Sequence, residues 1–243
     1  MTHLGGAAIQ IEHAGDTLIF DPPVQDGDFV SLVTWQDLGR LEGVRRAVAD
    51  GRHPRVVAGP EVLAWLGKQG SIQALEAPLV VEGVRVSSEP YEPIPWATPR
   101  EAARKVRAAL LNPLAAGERV ARRLSRPTGQ PRVYELAFPD GARLVHLGCA
   151  LHKGVDPAWI TAAQERYGGA DWMIVGVDFE EEDAVLEHLP GFNPGVLLLT
   201  DLLNAERAAV GLPTRLLTPT VDKLIDRGVN AYPFAGGATY RFS

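Results

Sequence analysis

The order of the predicted elements constrains the fold of this chain more than any single residue does. The chain has two parts that each begin with a pair of strands and continue with alternating strands and helices. In the first part Ala7–Glu12 and Thr17–Phe20 flank a Gly-Asp turn, and in the second Val133–Phe138 and Ala142–Leu147 flank Pro139-Asp140-Gly141. Such a pattern, met twice, predicts an α/β (α+β) protein in which two sheets face each other with helices outside.

Further elements follow each strand pair. In the first part, the spacing of apolar residues and the positions of Gly and Pro predict helices from Leu38 to Gly51 and at Pro60–Gln69. The same signals predict strands at Phe29–Thr34, Arg55–Ala58, 80–81 and 84–87. In the second part they predict helices at 157–167, 180–188 and 218–227, with strands at 172–177, 195–200, 231–234 and 239–242.

The two parts are separated by a stretch of different composition, which we predict to be a helical insertion at 88–131. A proline-rich loop opens it, and Thr98, Pro99 and Glu101 then form a helix start with a capping box. Residues 100–132 hold nine basic and two acidic residues, whereas the whole chain has a net charge of −6. We expect 98–125 to be a positive patch, which either contacts an anionic partner or turns its arginines to solvent over an apolar docking face. Without interleaved aromatic residues it gives no strong nucleic-acid signal.

Composition limits the class of protein. A chain of 243 residues that is 46% hydrophobic and 22% charged can build a large core, and we expect a single domain at 1–243. One cysteine, Cys149, allows no internal disulfide, which suits the cytoplasm. The N-terminus has neither the basic nor the apolar region of a signal peptide, and no segment reaches the ~20 apolar residues of a transmembrane helix.

A resemblance to a known family appears after Asp21-Pro22. The stretch Ser31-Leu32-Val33-Thr34-Trp35-Gln36-Asp37-Leu38-Gly39-Arg40 resembles the metal loop of the metallo-β-lactamase superfamily, in which an apolar strand ending in Thr or Ser leads into His-x-His-x-Asp-His. The four ligand positions are then Trp35, Asp37, Gly39 and Arg40. Trp has no lone pair to give, Gly has no side chain and Arg is a permanent cation, so three of the four positions cannot hold a metal.

Three other segments carry the same resemblance. Residues 143–149 are similar to the family's strand that ends in Gly-Asp, with Cys149 at the position of the metal-bridging Asp. Residues 196–201 are similar to the strand that ends in the last ligand His, with Asp201 in its place, and 4–7 are similar to the opening Leu-Gly-His-Ala of the lactonase-like branch. The resemblance implies a four-layer αββα sandwich over most of the chain.

The resemblance also implies a set of cleft-lining residues, which we predict to be Trp35, Asp37, Arg40, Cys149, His152, Asp178 and Asp201. We expect no catalytic residue, metal or cofactor among them. The preferred interpretation is a pseudoenzyme of the metallo-β-lactamase fold that binds a small molecule or a protein. We further expect Arg40 to replace the lost metals electrostatically by pairing with Asp37 and Asp201.

Alternative interpretations remain open. The first is an atypical metal-dependent hydrolase of the lactonase-like branch, with a single metal held by Cys149 and two or three of Asp37, Asp178 and Asp201. The second is a thiol nucleophile, Cys149, activated by the imidazole of His152. The third is an adaptor that uses the basic insertion and has an inert cleft. The other five histidines are expected to be structural or surface residues.

Overall fold

The computed structural model shows a mixed α/β protein with two mixed sheets. It describes residues 1–5, 8–13, 15–23, 29–34, 38–81, 83–92, 106, 113, 129–177, 181–201, 208, 214 and 216–241, with the backbone alone for 5, 16 and 38–40. Of the predicted insertion, only 88–92, 106, 113 and 129–131 fall within the described residues. The helical character predicted for 98–125 therefore lies outside them almost entirely.

Sheet 1 is built from the first part of the chain, with its strands side by side in chain order. They are β1 (Thr2–Gly5), β2 (Ala8–His13), β3 (Asp16–Phe20), β4 (Val30–Leu32), β5 (Arg55–Val57) and β6 (Gln73–Leu75). The first two pairs are antiparallel and the last three are parallel. Helices α1 (Leu38–Ala49) and α2 (Pro60–Gly67) make the crossovers between the parallel strands β4, β5 and β6.

Sheet 2 contains the remaining strands in reverse chain order. They are β7 (Leu79–Val81), β8 (Val84–Pro90), β9 (Arg132–Ala137), β10 (Arg143–Gly148), β11 (Trp172–Gly176), β12 (Val196–Thr200) and β13 (Ala231–Pro233). Pairs up to β9–β10 are antiparallel and those from β10–β11 onward are parallel. The crossover helices are α3 (Pro157–Tyr167), α4 (Glu182–His188), which runs into a 3₁₀ turn at Leu189–Phe192, and α5 (Thr218–Ile225).

Side chains alternate between the two faces of each strand, and the buried hydrophobic side chains therefore form three separate clusters. The inter-sheet cluster takes side chains from both sheets, among them Phe20, Leu32, Leu136, Leu144 and Leu198. The opposite face of sheet 1 forms a second cluster with α1 and α2, and the opposite face of sheet 2 forms a third with α3, α4 and α5. Neighbouring strand residues therefore point into different clusters, as period-two side-chain alternation requires.

Several predicted boundaries differ from the structure. Strands β1 and β6 were not predicted, and the expected final strand at 239–242 is a single bridge between Thr239 and Thr2, with residue 242 outside the described residues. Strand β8 extends through Ser88 to Pro90, where the sequence predicted a loop, because these residues pair with Arg132–Tyr134 of β9. The predicted insertion thus connects two neighbouring antiparallel strands.

Candidate functional site

Of the predicted site residues, Cys149 and Asp201 lie where parallel strands of sheet 2 end. We call the carboxyl ends of β3, β4, β5, β10, β11 and β12 the strand-end rim. Cys149 directly follows β10 and Asp201 directly follows β12. Trp35, Asp37 and Asp178 lie outside the described residues. Arg40 lies in α1 with an undescribed side chain, so its proposed pairing with Asp37 and Asp201 stays a prediction.

Hydrogen bonds join the two sheets at this rim. The Tyr134 hydroxyl on β9 lies 2.8 Å from the carbonyl oxygen of Val33 and 3.1 Å from that of Val57, both in sheet 1. The amide of Arg132 donates to the carbonyl of Thr34 at 2.9 Å. Burial raises the pKa of the Tyr134 hydroxyl far above its ordinary range, so it stays protonated as a donor. The two sheets are therefore hydrogen-bonded to each other at the ends of β4 and β5.

Asp21 organises the end of β4. Its carboxylate accepts the backbone N–H of Thr34 at 2.8 Å and also the hydroxyl of Thr34. The carboxylate is buried, and Asp21 itself adopts a left-handed backbone with φ of 45°. The sequence did not predict this contact, because Asp21 and Thr34 are 13 residues apart along the chain.

The corner at Gly148 and Cys149 is closed by a tyrosine. Tyr91 follows β8, and its hydroxyl accepts the amide N–H of Cys149 at 3.2 Å. Gly148 has φ of +58°, and a Cβ placed there would lie 3.0 Å from the Tyr91 hydroxyl oxygen, so this corner requires glycine. The amide of Gly148 donates to Nδ1 of His146, which is buried between the sheets against Phe20. Cys149 is itself buried.

His152 holds the start of the insertion against the loop after β10. Its Nε2 lies 3.1 Å from the carbonyl oxygen of Glu92, and its Nδ1 accepts the amide of Gly154 at 3.2 Å. Because Nδ1 accepts, the neutral ring carries its proton on Nε2 and donates it to Glu92. Both ring nitrogens are occupied, so His152 has no free nitrogen to take a proton from Cys149. This geometry does not favour the thiol-nucleophile alternative.

Asp201 has a neighbour that the sequence did not suggest. His3 on β1 lies with its Nε2 3.4 Å from the hydroxyl of Thr200, the residue before Asp201. Burial lowers the pKa of His3, and the charge of Asp201 acts in the opposite direction. His3 was expected to be a structural residue, and its position at the rim was missed because Thr200 lies 197 residues away along the chain.

Arg132 places a permanent cation at the rim. Its Nε donates to the Ser88 hydroxyl at 3.0 Å and one terminal nitrogen donates to the Ser88 carbonyl at 3.1 Å. The other terminal nitrogen lies 3.8 Å from where a Cβ of Gly59 would stand, and the Glu61 carboxylate lies 3.4 Å from the same point. Within the described part of the chain, no carboxylate forms an ion pair with it. The sequence placed Arg132 at the end of the basic segment and did not predict this role.

The described residues of the rim bring no metal ligands together. Among them, no group of three or more His, Cys, Asp or Glu side chains has an arrangement that could hold a metal ion. Away from the rim, a shallow hollow of about 280 Å³ separates β8 from α3. Its two charged residues, Glu89 and Arg166, are paired with each other.

The chain matches no protein-family model, and no curated protein matches its sequence. In the described residues no helix is long and apolar enough to cross a membrane.

Proposed function

We propose that this chain is a metallo-β-lactamase-fold protein of the cytoplasm that has lost its metal centre and serves as a metal-free binding module. Three buried clusters support the αββα sandwich, since one lies between the sheets and one lies under the helices of each sheet. Each pair of facing layers needs such a cluster to exclude water. Mixed sheets with helices crossing over the parallel strands agree with the same architecture.

The observation that carries the loss of the metal centre is the chemistry of the ligand positions. Two-metal hydrolysis requires several His nitrogens and carboxylates at about 2.0–2.2 Å from the ions. The aligned positions hold Trp35, Gly39 and Arg40 instead. In addition, the amide of Cys149 is held by Tyr91, and the ring of His152 is held by two backbone groups.

The half-buried guanidinium of Arg132 supports an anionic small molecule as the ligand. Ser88 binds its Nε and one terminal nitrogen, and the other terminal nitrogen lies near Gly59, which the Glu61 carboxylate also approaches. A guanidinium binds carboxylate and phosphate groups through paired, charge-assisted hydrogen bonds. The basic insertion, which lies mostly outside the described residues, would add positive charge to the same chain.

Metal analysis and a binding assay test this function together. Purified protein should hold far less than one equivalent of zinc, manganese or iron, and it should not hydrolyse lactones or β-lactams above the rate of an Asp201→Asn variant. Phosphate and small dicarboxylates should raise its melting temperature, with the effect lost in Arg132→Gln and kept in Arg85→Gln, an exposed arginine on β8. About one equivalent of metal, lost in Asp201→Asn together with hydrolysis, would instead establish the single-metal hydrolase.

A further inference from the structure

The N-terminal strand is held by a short antiparallel contact with the segment that follows β13. The amide of His3 donates to Ala238 at 2.9 Å, and the amide of Gly237 donates to His3 at 2.8 Å. The amide of Tyr240 donates to Met1 at 2.9 Å. We call these two segments, 1–3 and 237–240, the terminal clasp. It connects the edge of sheet 1 to the chain that leaves sheet 2.

The side chain of His3 extends the clasp into sheet 2. His3 is only 4% exposed. Its ring meets Phe234 edge-on, with centroids 5.0 Å apart and planes at 79°. Its Nε2 faces the Thr200 hydroxyl at the end of β12, next to Asp201. One imidazole therefore touches the residue after β13 and the end of β12 while its backbone holds the clasp.

Burial against an aromatic ring and a hydroxyl suits a neutral imidazole better than a cation. Burial lowers the pKa of His3 below its ordinary value of about 6.5, and this effect outweighs the opposing charge of Asp201. Phe234 and Thr200 carry no charge, and the charge of Asp201 raises the pKa of His3. The clasp also holds the Met1 amine, which donates to Tyr240 and whose pKa is lowered by burial, with Glu12 and Arg241 acting on it in opposite directions. An opened clasp exposes His3 to water and restores its ordinary pKa. For this imidazole the open form binds a proton more readily than the closed form, so the contribution of His3 to closure is fully present above pH ~6.5 and is lost as the pH falls below it.

We propose that the terminal clasp is an acid-operated latch, in which protonation of His3 releases 1–3 from 237–240 and from the Thr200–Asp201 end of β12. The step involves only the uptake of one proton and the exchange of internal hydrogen bonds for bonds with water. Few, short pairings hold the clasp, and such segments open locally without global unfolding. Opening would uncover the side of the strand-end rim that Asp201 occupies. The latch does not depend on whether the rim binds a ligand.

Hydrogen exchange of the full chain between about pH 5 and pH 7.5 tests the latch. The amides of His3, Gly237 and Tyr240 report the clasp, and the amide of Leu197, bonded to Asn230, reports a neighbouring pair in sheet 2. After division by intrinsic exchange rates, protection of the clasp amides should fall by up to about tenfold per pH unit below pH ~6.5. Protection of Leu197 should change much less.

Two further measurements separate His3 from other acid-sensitive groups. In His3→Gln the clasp amides should lose the fall in protection that follows the His3 titration, while any dependence due to the Met1 amine remains. In His13→Gln they should keep that fall, because His13 lies on β2 against Phe138. In the wild-type chain, the NMR titration of the His3 ring should follow the loss of clasp protection, which tests the latch even if His3→Gln folds poorly. Clasp protection that is independent of pH, or that falls equally in both variants, would overturn the proposal.

Discussion

At the scale of single residues, the rim is dominated by buried polar groups that satisfy one another across large sequence separations. Asp21 accepts a hydrogen bond from the amide of Thr34, and Tyr91 accepts one from the amide of Cys149. The Tyr134 hydroxyl lies within hydrogen-bonding distance of two carbonyl groups of sheet 1. A buried polar group without a partner costs about 1–3 kcal/mol, so each of these contacts fixes a specific geometry. Substitutions at these rim residues should therefore lower the free energy of unfolding.

Tyr134→Phe should be destabilising although it removes only one oxygen atom. The change leaves the ring in the inter-sheet core but takes the hydroxyl donor away from the Val33 carbonyl. We expect the free energy of unfolding to fall by about 1–3 kcal/mol, measured from urea midpoints. Tyr232→Phe is the control, since Tyr232 is 42% exposed and should change stability by less than about 0.5 kcal/mol. Equal shifts for both variants would show that the hydroxyl contributes nothing to holding the sheets together.

At the scale of elements, the sequence predicted those helices and strands whose ends are set by nearby residues. Helix α3 begins and ends at the predicted residues because Asp156 caps it, accepting the amide of Ala158 at 2.9 Å, and Pro157 opens its first turn. Strands β1 and β6 were missed because they are only four and three residues long and are polar or glycine-containing. His3 belongs to one of these strands, which is why its place at the rim could not be predicted either. Cys149 and Asp201 directly follow β10 and β12, and their role in lining a cleft stays a prediction.

Arg143 on β10 holds the carboxyl end of α3 onto sheet 2, and its removal should loosen that helix end. Its guanidinium donates to the carbonyl of Arg166 at 2.9 Å and lies 2.8 Å from the carboxylate of Glu135. Arg143→Met keeps the apolar stem but removes the donors, so we expect a loss of about 1–2 kcal/mol in unfolding free energy. Exchange of the Gly168 amide, which closes the last turn, should accelerate.

The matched control for Arg143→Met is Arg45→Met. Arg45 also forms an ion pair, with Glu42 at 2.9 Å, but on an exposed helix surface, where such pairs contribute about 0–1 kcal/mol. If Arg143→Met costs no more than Arg45→Met and leaves Gly168 exchange unchanged, Arg143 does not hold the end of α3.

At the scale of the whole molecule, the inter-sheet cluster makes each half of the chain depend on the other. Sheet 1 buries one face against sheet 2, and Arg132 and Tyr134 add hydrogen bonds across the rim. Neither sheet could unfold without exposing the apolar face of its partner, and exposed apolar area costs roughly 25 cal/mol per Å². The chain should therefore unfold as one unit, although proteins longer than about 150 residues often show intermediates.

Leu136→Ala tests this dependence, because Leu136 is fully buried in the cluster that both sheets share. Truncation of a core leucine costs about 2–5 kcal/mol. The indole N–H signals of Trp65, which packs outside sheet 1, and Trp159, which packs outside sheet 2, report each half during urea unfolding by NMR. Both midpoints should fall together in Leu136→Ala and stay in place in Leu216→Ala, whose side chain is 78% exposed. A midpoint that moves for Trp159 while that of Trp65 stays fixed would mean that the sheets unfold separately, and the hydrogen bonds at the rim would then join two independent halves.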